Sequence, residues 1–158
     1  MSRLDSAIRR LMAQRDCLGA ALARAPGGAV LEIGLGNGRT YHHLRENAPD
    51  RDIWVIDREM SAHPESAPEP DLFLRGEADA MLDVLHRRIG RGVALVHYDL
   101  GVGVPARDAP LRAALAPGIA RLLVPGGVLV SNGPFDGPVP EPLPDGVAEG
   151  RYFMYRAG

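Results

Sequence analysis

A glycine-rich turn flanked by carboxylates is the part of this chain best suited to chemistry. Its glycines run G-x-G-x-G from Gly34 to Gly38, directly after the apolar run 29–33. Such a turn between a strand and a helix brings backbone N–H groups and the positive helix end close to a ligand. Asp57 ends the next apolar run, where a carboxylate can accept the hydroxyl protons of a ribose. The pattern predicts a ligand that carries a nucleoside.

The glycine spacing distinguishes between two kinds of nucleotide ligand. A dinucleotide site uses G-x-G-x-x-G, whose third glycine lets helix and strand pack closely around a pyrophosphate. Arg39 stands at that third position here, and Glu32 lies two residues before the first glycine. A carboxylate at the mouth of the strand repels a pyrophosphate and favours a ligand with an ammonium group. We therefore expect a cationic ligand.

Alternating strands and helices must position these residues. Apolar runs predict strands at 29–33, 53–57, 72–75, 93–98, 128–131 and 151–156. Helical spacing of apolar residues predicts helices at about 3–24, 39–47, 77–89 and 109–123, with Pro117 expected to kink or split the last one. This alternation predicts an α/β fold, a Rossmann-like, doubly wound, mostly parallel sheet of six to seven strands with helices on both faces. Its ligands bind beyond the carboxyl ends of the strands.

The composition excludes several other kinds of site. All 18 basic side chains are arginine, so lysine-based catalysis is impossible, and the formal net charge is −2. That balance predicts no nucleic-acid partner, and no apolar run is long enough to predict a membrane span. Cys17 is the single cysteine, which favours a reducing, cytoplasmic setting, and no histidine pair has metal-ligand spacing. We expect no metal.

Four segments, in order, resemble the class I S-adenosylmethionine-dependent methyltransferases. V-L-E-I-G-L-G-N-G at 30–38 is similar to that family's first motif, and V-I-D at 55–57 to the acidic end of its second strand. R-G-E-A at 75–78 resembles the turn that edges the adenine, and L-V-P-G-G-V-L-V at 123–130 resembles the turn into its fifth strand. The family implies a seven-stranded sheet whose last strands are antiparallel.

The resemblance implies that S-adenosylmethionine is the cofactor and that eleven residues bind it: Glu32, Gly34, Leu35, Gly36, Asn37, Gly38, Asp57, Arg58, Glu77, Ala78 and Asp99. The glycine turn lines the methionine moiety, and Glu32 faces its amino group directly or through water. Asp57 holds the ribose, Arg58 flanks the adenine, and Glu77 with Ala78 meets the polar edge of the adenine. Asp99 lies near the sulfonium and the acceptor.

The acceptor and the catalytic base stay open at this stage. A small-molecule acceptor is expected, and Asp99 and His97 are candidate bases on position alone, although a histidine in a buried strand is more often a core residue. Two alternatives are an NAD(P)-dependent oxidoreductase on the same fold and a non-catalytic cofactor-binding partner subunit.

We expect one methyltransferase-like domain over residues 1–158. It comprises an amino-terminal helix and turn (1–28), a cofactor-binding core (29–132), an irregular proline- and glycine-rich connector (133–150) and a terminal strand (151–158). Because these segments leave little chain to form a substrate lid, we expect a homodimer in which a neighbouring subunit completes the site.

Overall fold

A computed structural model describes all residues, 1–158. The helices are α1 (Arg3–Arg24), α2 (Arg39–Asn47), α3 (Ala78–Ile89) and α4 (Pro105–Leu122). The strands are β1 (Ala29–Ile33), β2 (Ile53–Asp57), β3 (Phe73–Arg75), β4 (Val93–Tyr98), β5 (Leu123–Ser131), β6 (Val139–Pro140) and β7 (Phe153–Arg156). Between β2 and β3 the chain makes two short 3-10 turns, Pro64–Ser66 and Pro70–Leu72.

The strands form one seven-stranded sheet in the order β3-β2-β1-β4-β5-β7-β6. Neighbours from β3 to β5 are parallel, whereas β7 runs antiparallel to both β5 and β6. The predicted fold class is confirmed, including the antiparallel strands at the end. The chain order reverses beside β1, so the carboxyl ends of β1 and β4 open a crevice at the point where such sheets bind ligands.

Apolar side chains cover both faces of the sheet and form two cores. One core joins the sheet to α3 and α4, and the other joins it to α1 and α2. Within β1, Leu31 and Ile33 pack in the first core and Val30 packs in the second. This burial on both faces is why the apolar residues of the central strands are consecutive in the sequence.

Helix α1 begins at a reciprocal capping box. The Ser2 hydroxyl accepts a hydrogen bond from the Asp5 backbone N–H at 3.0 Å, and the Asp5 carboxylate accepts one from the Ser2 N–H at 3.2 Å. These bonds satisfy amide groups that have no partner inside the helix. None of the helices combines the length and the apolar character needed to cross a bilayer.

Helix α4 departs from the sequence prediction. It begins at Pro105 instead of near Ala109, and Pro117 does not split it. Proline is well tolerated at the first helical position, where its missing N–H has no helical partner to lose. Pro110 and Pro117 both lie on the exposed side, as do the residues four positions before them, so water can bind the carbonyls that the prolines leave free.

The carboxyl-terminal third differs from the sequence prediction at two places, the start of β5 and the connector. Strand β5 begins at Leu123 instead of Val128, because the Pro-Gly-Gly segment continues the strand through an irregularity in its pairing with β4. Inside the connector predicted to be irregular, Val139 and Pro140 form β6 against β7. Pro140 fits there because β6 is an edge strand.

Candidate active site

A cleft of about 630 Å3 lies at the carboxyl edge of the sheet. Hydrogen bonds between neighbouring strand ends bring its walls together, since the Gly34 N–H binds the Ile56 carbonyl and the Asp99 N–H binds the Ile33 carbonyl, each at 2.9 Å. Seven of the eleven predicted cofactor residues line the cleft: Gly34, Gly36, Asp57, Arg58, Glu77, Ala78 and Asp99. Glu32, Leu35, Asn37 and Gly38 do not.

The glycine turn places its backbone directly against the end of β4. Gly34 has a φ of +92°, and a Cβ built there would overlap the Asp99 carbonyl oxygen, so no other residue fits without moving the strand end. A Cβ on Gly36 would meet nothing within 4 Å. Gly36 therefore faces the open cleft, where a ligand can approach the backbone.

Asp57 accepts hydrogen bonds from the turn itself. Its Oδ2 accepts the Leu35 N–H at 2.7 Å and the Gly36 N–H at 3.4 Å, and its Oδ1 accepts the Glu59 N–H at 3.2 Å. The expectation that these amides face the ligand is therefore corrected for Leu35 and Gly36. A carboxylate has about four acceptor positions, so Asp57 keeps room for about one more donor.

Asn37 and Leu35 support the glycine turn and do not line the cleft. The Asn37 side-chain oxygen accepts the Arg39 backbone N–H at 3.2 Å and so serves the start of α2. Leu35 is buried in the core beside α1 and α2.

Arg58 and Glu77 line another part of the cleft. Both side chains are exposed and lie 3.9 Å apart, and the Glu77 side chain makes no capping bond to α3.

Glu32 lies behind the cleft instead of in it. Its Oε1 is 2.5 Å from Nδ1 of His97, and its Oε2 accepts the Thr40 hydroxyl at 3.0 Å, so both oxygens already have partners. Burial raises the pKa of Glu32. Burial alone lowers the pKa of His97, but the adjacent Glu32 carboxylate outweighs it and the pKa is raised. The structure gives no direct path from Glu32 to an ammonium group in the cleft.

His97 is also withdrawn from the cleft. Its second ring nitrogen, Nε2, lies 2.6 Å from the Tyr152 hydroxyl, and its side chain is fully buried. Both of its nitrogens are thus engaged, as in a core histidine. Asp99 is the only one of the two candidate bases that lines the cleft.

Sequence reasoning missed two side chains that act on this site. In the sequence, Tyr152 lies within the predicted strand 151–156 and Gln14 within the predicted first helix, and neither belongs to a functional motif. The Gln14 side-chain amide donates to the Tyr152 hydroxyl at 3.2 Å and to Asp99 Oδ2 at 3.4 Å. The sequence signal for Gln14 was its position, because it is a polar residue on the apolar face of α1, between Ala13 and Cys17.

A second cavity, of about 530 Å3, lies between α4 and the last strands. Its lining is mainly apolar, with Arg91 and Asp136 as the charged members, and it includes none of the predicted cofactor residues. The strand-end cleft is therefore the place where the glycine turn, the Asp57 carboxylate expected to bind a ribose, and the candidate base Asp99 come together.

The sheet order is that of a Rossmann-like α/β fold, and the cleft lies at the topological switch point, where proteins of this fold bind their ligands. Residues 1–157 match the model of a family described as S-adenosyl-L-methionine methyltransferase. The chain belongs to this family, is an S-adenosylmethionine-dependent methyltransferase, and uses S-adenosylmethionine as its cofactor. This result decides against the oxidoreductase and the non-catalytic alternatives.

Solved structures agree with the family assignment. An S-adenosyl-L-methionine methyltransferase from Silicibacter pomeroyi DSS-3 is 40% identical, with a TM-score of 0.94 over 100% of this chain and 99% of that chain. TrmN from Thermus thermophilus shares the fold at 19% identity, with a TM-score of 0.65 over 92% of this chain and 48% of that one. The MycE methyltransferase, solved with Mg, SAH and mycinamycin VI, shares the fold at 20% identity, with a TM-score of 0.50 over 83% and 34%. Curated proteins gave no match.

Proposed function

We propose that the enzyme transfers the methyl group of S-adenosylmethionine to a small-molecule acceptor held in the strand-end cleft. The observation that carries this proposal is the charge of the cleft lining. Five carboxylates line it, against the two guanidinium groups of Arg58 and Arg107: Asp57, Glu77, Asp79, Asp99 and Asp108. This acidic lining disfavours a polyanionic nucleic acid and suits a cationic cofactor.

The cleft has two chemically different halves. The half around Asp57 and Gly76 is polar and suits the nucleoside. The half under α4 adds the apolar side chains Leu100, Val102 and Leu115, beside the charged Arg107 and Asp108. The volume of the whole cleft, about 630 Å3, falls within the range of about 300–1,000 Å3 that is typical of small-molecule sites. The acceptor on this proposal is small and carries an apolar body.

The cofactor assignment follows the residues that reach the cleft. Gly34 and Gly36 provide close backbone approach, Asp57 accepts one ribose hydroxyl at its remaining acceptor position, and the turn Gly76–Ala78 borders the adenine. Leu35, Asn37 and Gly38 act by shaping the turn. Glu32 acts from behind it, through Thr40 and His97.

Asp99 is the proposed base and the partner of the sulfonium. When bound, S-adenosylmethionine supplies an electrophilic methyl group on a positively charged sulfur. Asp99 directly follows β4 and lines the cleft, where a carboxylate can orient the acceptor and take its proton. Most of the catalytic effect then comes from orientation, for which well-aligned groups contribute about 7–11 kcal/mol.

Calorimetric titration with S-adenosylhomocysteine tests the cofactor site. We expect Asp57→Asn to weaken binding by about tenfold or more, since a hydrogen bond to a charged group contributes about 1.5–3 kcal/mol. Asp145→Asn is the matched control, because Asp145 is exposed and does not line the cleft. Equal affinity of the two variants for S-adenosylhomocysteine would show that Asp57 does not bind the cofactor.

The acceptor class is tested by incubating the enzyme and methyl-labelled cofactor with cell extract divided by size. Label is expected in the fraction of small molecules. Label confined to the nucleic-acid fraction contradicts a small acceptor.

We also propose a homodimer. Leu4, Ile8 and Met12 are spaced by four residues along α1 and are 69%, 46% and 48% exposed, so one side of the helix presents an apolar stripe to water. A second copy of the chain can cover this stripe. Light scattering is expected to give twice the chain mass of 16.9 kDa. Ile8→Glu is expected to return it to the single-chain value, and a single-chain mass for the unchanged protein contradicts the dimer.

A further inference from the structure

The Asp99 carboxylate lies between two side-chain amides that come from different elements. Gln14 of α1 donates to its Oδ2 at 3.4 Å, and Asn132, which follows β5, donates to its Oδ1 at 3.3 Å. Each carboxylate oxygen thus has one amide donor. The two amides fix where the negative charge stands in the cleft.

The orientation of each amide depends on a further contact. Asn132 also donates to the Leu100 carbonyl at 2.9 Å, and a carbonyl can only accept, so its NH2 group must point that way. Gln14 has no carbonyl to orient it. If its amide turned by half a rotation, its oxygen would face the Asp99 carboxylate and repel it.

The Tyr152 hydroxyl supplies the orientation that Gln14 needs. It accepts the second N–H of Gln14 at 3.2 Å and is itself held by His97 Nε2 at 2.6 Å, with Glu32 on the other side of the imidazole. If His97 accepts the hydroxyl proton, the Tyr152 lone pairs stay free for Gln14. If His97 donated instead, the hydroxyl proton would be free to donate to a turned Gln14 oxygen, so the orienting state is the one in which the neutral imidazole donates its Nδ1–H to Glu32 and accepts from Tyr152 at Nε2.

All of these side chains are closed to solvent. Gln14 is 3% exposed and Tyr152 is 1% exposed, while Glu32 and His97 are fully buried. Buried polar groups without partners are costly, and the Tyr152 hydroxyl and Asp99 are the two acceptors that the Gln14 amide has. The arrangement is therefore a connected path from the interior of the sheet to the carboxylate in the cleft.

We propose that Gln14 is a positioning residue for Asp99 and that the buried Glu32–His97 pair orients it through Tyr152. The inference rests on the proposed function, in which Asp99 stands beside the sulfonium. A carboxylate held there favours the cationic S-adenosylmethionine over the neutral S-adenosylhomocysteine. Displacing Asp99 reduces that preference without removing the contacts that both ligands share.

The test compares dissociation constants for the two ligands by calorimetry at one pH and ionic strength. Gln14→Met and Tyr152→Phe are each expected to reduce the preference for S-adenosylmethionine by about tenfold, equivalent to about 1.4 kcal/mol. Affinity for S-adenosylhomocysteine should change by less than about twofold. A purely structural role would weaken both ligands together, because partial unfolding lowers both affinities equally.

Two further variants distinguish the possible failures. Tyr98→Phe is the matched control, since the Tyr98 hydroxyl is equally buried but has no hydrogen-bond partner, and it should leave the preference unchanged. If Asp99→Asn abolishes the preference while Gln14→Met and Tyr152→Phe retain it, the positioning role is wrong and the proposed function stands. If Asp99→Asn also retains it, Asp99 is not beside the sulfonium and both proposals fail.

Discussion

The Tyr152 hydroxyl provides the sharpest stability test of the buried polar path. Tyr152→Phe removes one oxygen and keeps the aromatic ring, so the apolar packing is nearly unchanged. The substitution leaves His97 Nε2, 2.6 Å from the lost oxygen, without a partner. It also leaves one N–H of the Gln14 amide, 3.2 Å from that oxygen, unpaired, since Asp99 accepts only the other. Each unsatisfied buried group costs about 1–3 kcal/mol. With partial relaxation, we expect the free energy of unfolding to fall by about 2–4 kcal/mol.

At about 2–4 °C per kcal/mol for a chain of this size, the Tm should fall by roughly 5–15 °C. Urea unfolding followed by the fluorescence of Trp54, the one tryptophan and a buried residue of β2, measures the loss directly. Tyr98→Phe is the control, because it removes a buried hydroxyl without a partner and should leave stability unchanged or slightly raised. The reasoning is refuted if the two variants lose stability equally.

Three further predictions concern other parts of the chain. Because the Glu32 carboxylate raises the pKa of His97 above 6.5, the folded state holds a proton that the unfolded state loses. The free energy of unfolding measured in urea should therefore fall as pH rises above 6.5, and a rise contradicts the assignment. The lowered pKa of His43 acts below this range. Gly34→Ala should cost roughly 2–5 kcal/mol, whereas Gly36→Ala costs about 1 kcal/mol, since only the Gly34 Cβ meets the Asp99 backbone; similar losses in urea would count against the contact. Ser2→Ala should lower stability by about 1 kcal/mol through loss of the α1 cap, and an unchanged Tm would show that the cap contributes nothing.

The core of the fold could be predicted because its signals are local. Consecutive apolar residues at β1, β2 and β4, separated by helical periodicity, are sufficient to indicate a parallel sheet covered on both faces. The same regularity places Gly34, Asp57 and Asp99 at strand ends that must share one edge. The structure brings these three residues together in one cleft.

The missed features depend on contacts between residues distant in the chain. Strand β6 has only two residues, so it has no alternation to detect, and it exists because β7 pairs with it. Glu32 was expected to face a ligand because it stands just before the glycine turn. Its actual partner, His97, lies 65 residues away, and no local pattern shows that the two side chains meet. Gln14 and Tyr152 are 138 residues apart, and only the packing of α1 against the sheet joins them.

A crystal structure with bound S-adenosylhomocysteine tests the central claim most directly. The account predicts the nucleoside between Asp57 and the Gly76–Ala78 turn, a ribose hydroxyl on the Asp57 carboxylate, and the sulfur within reach of Asp99. Ligand density in the apolar cavity beside α4, or a ribose bound away from Asp57, would contradict it.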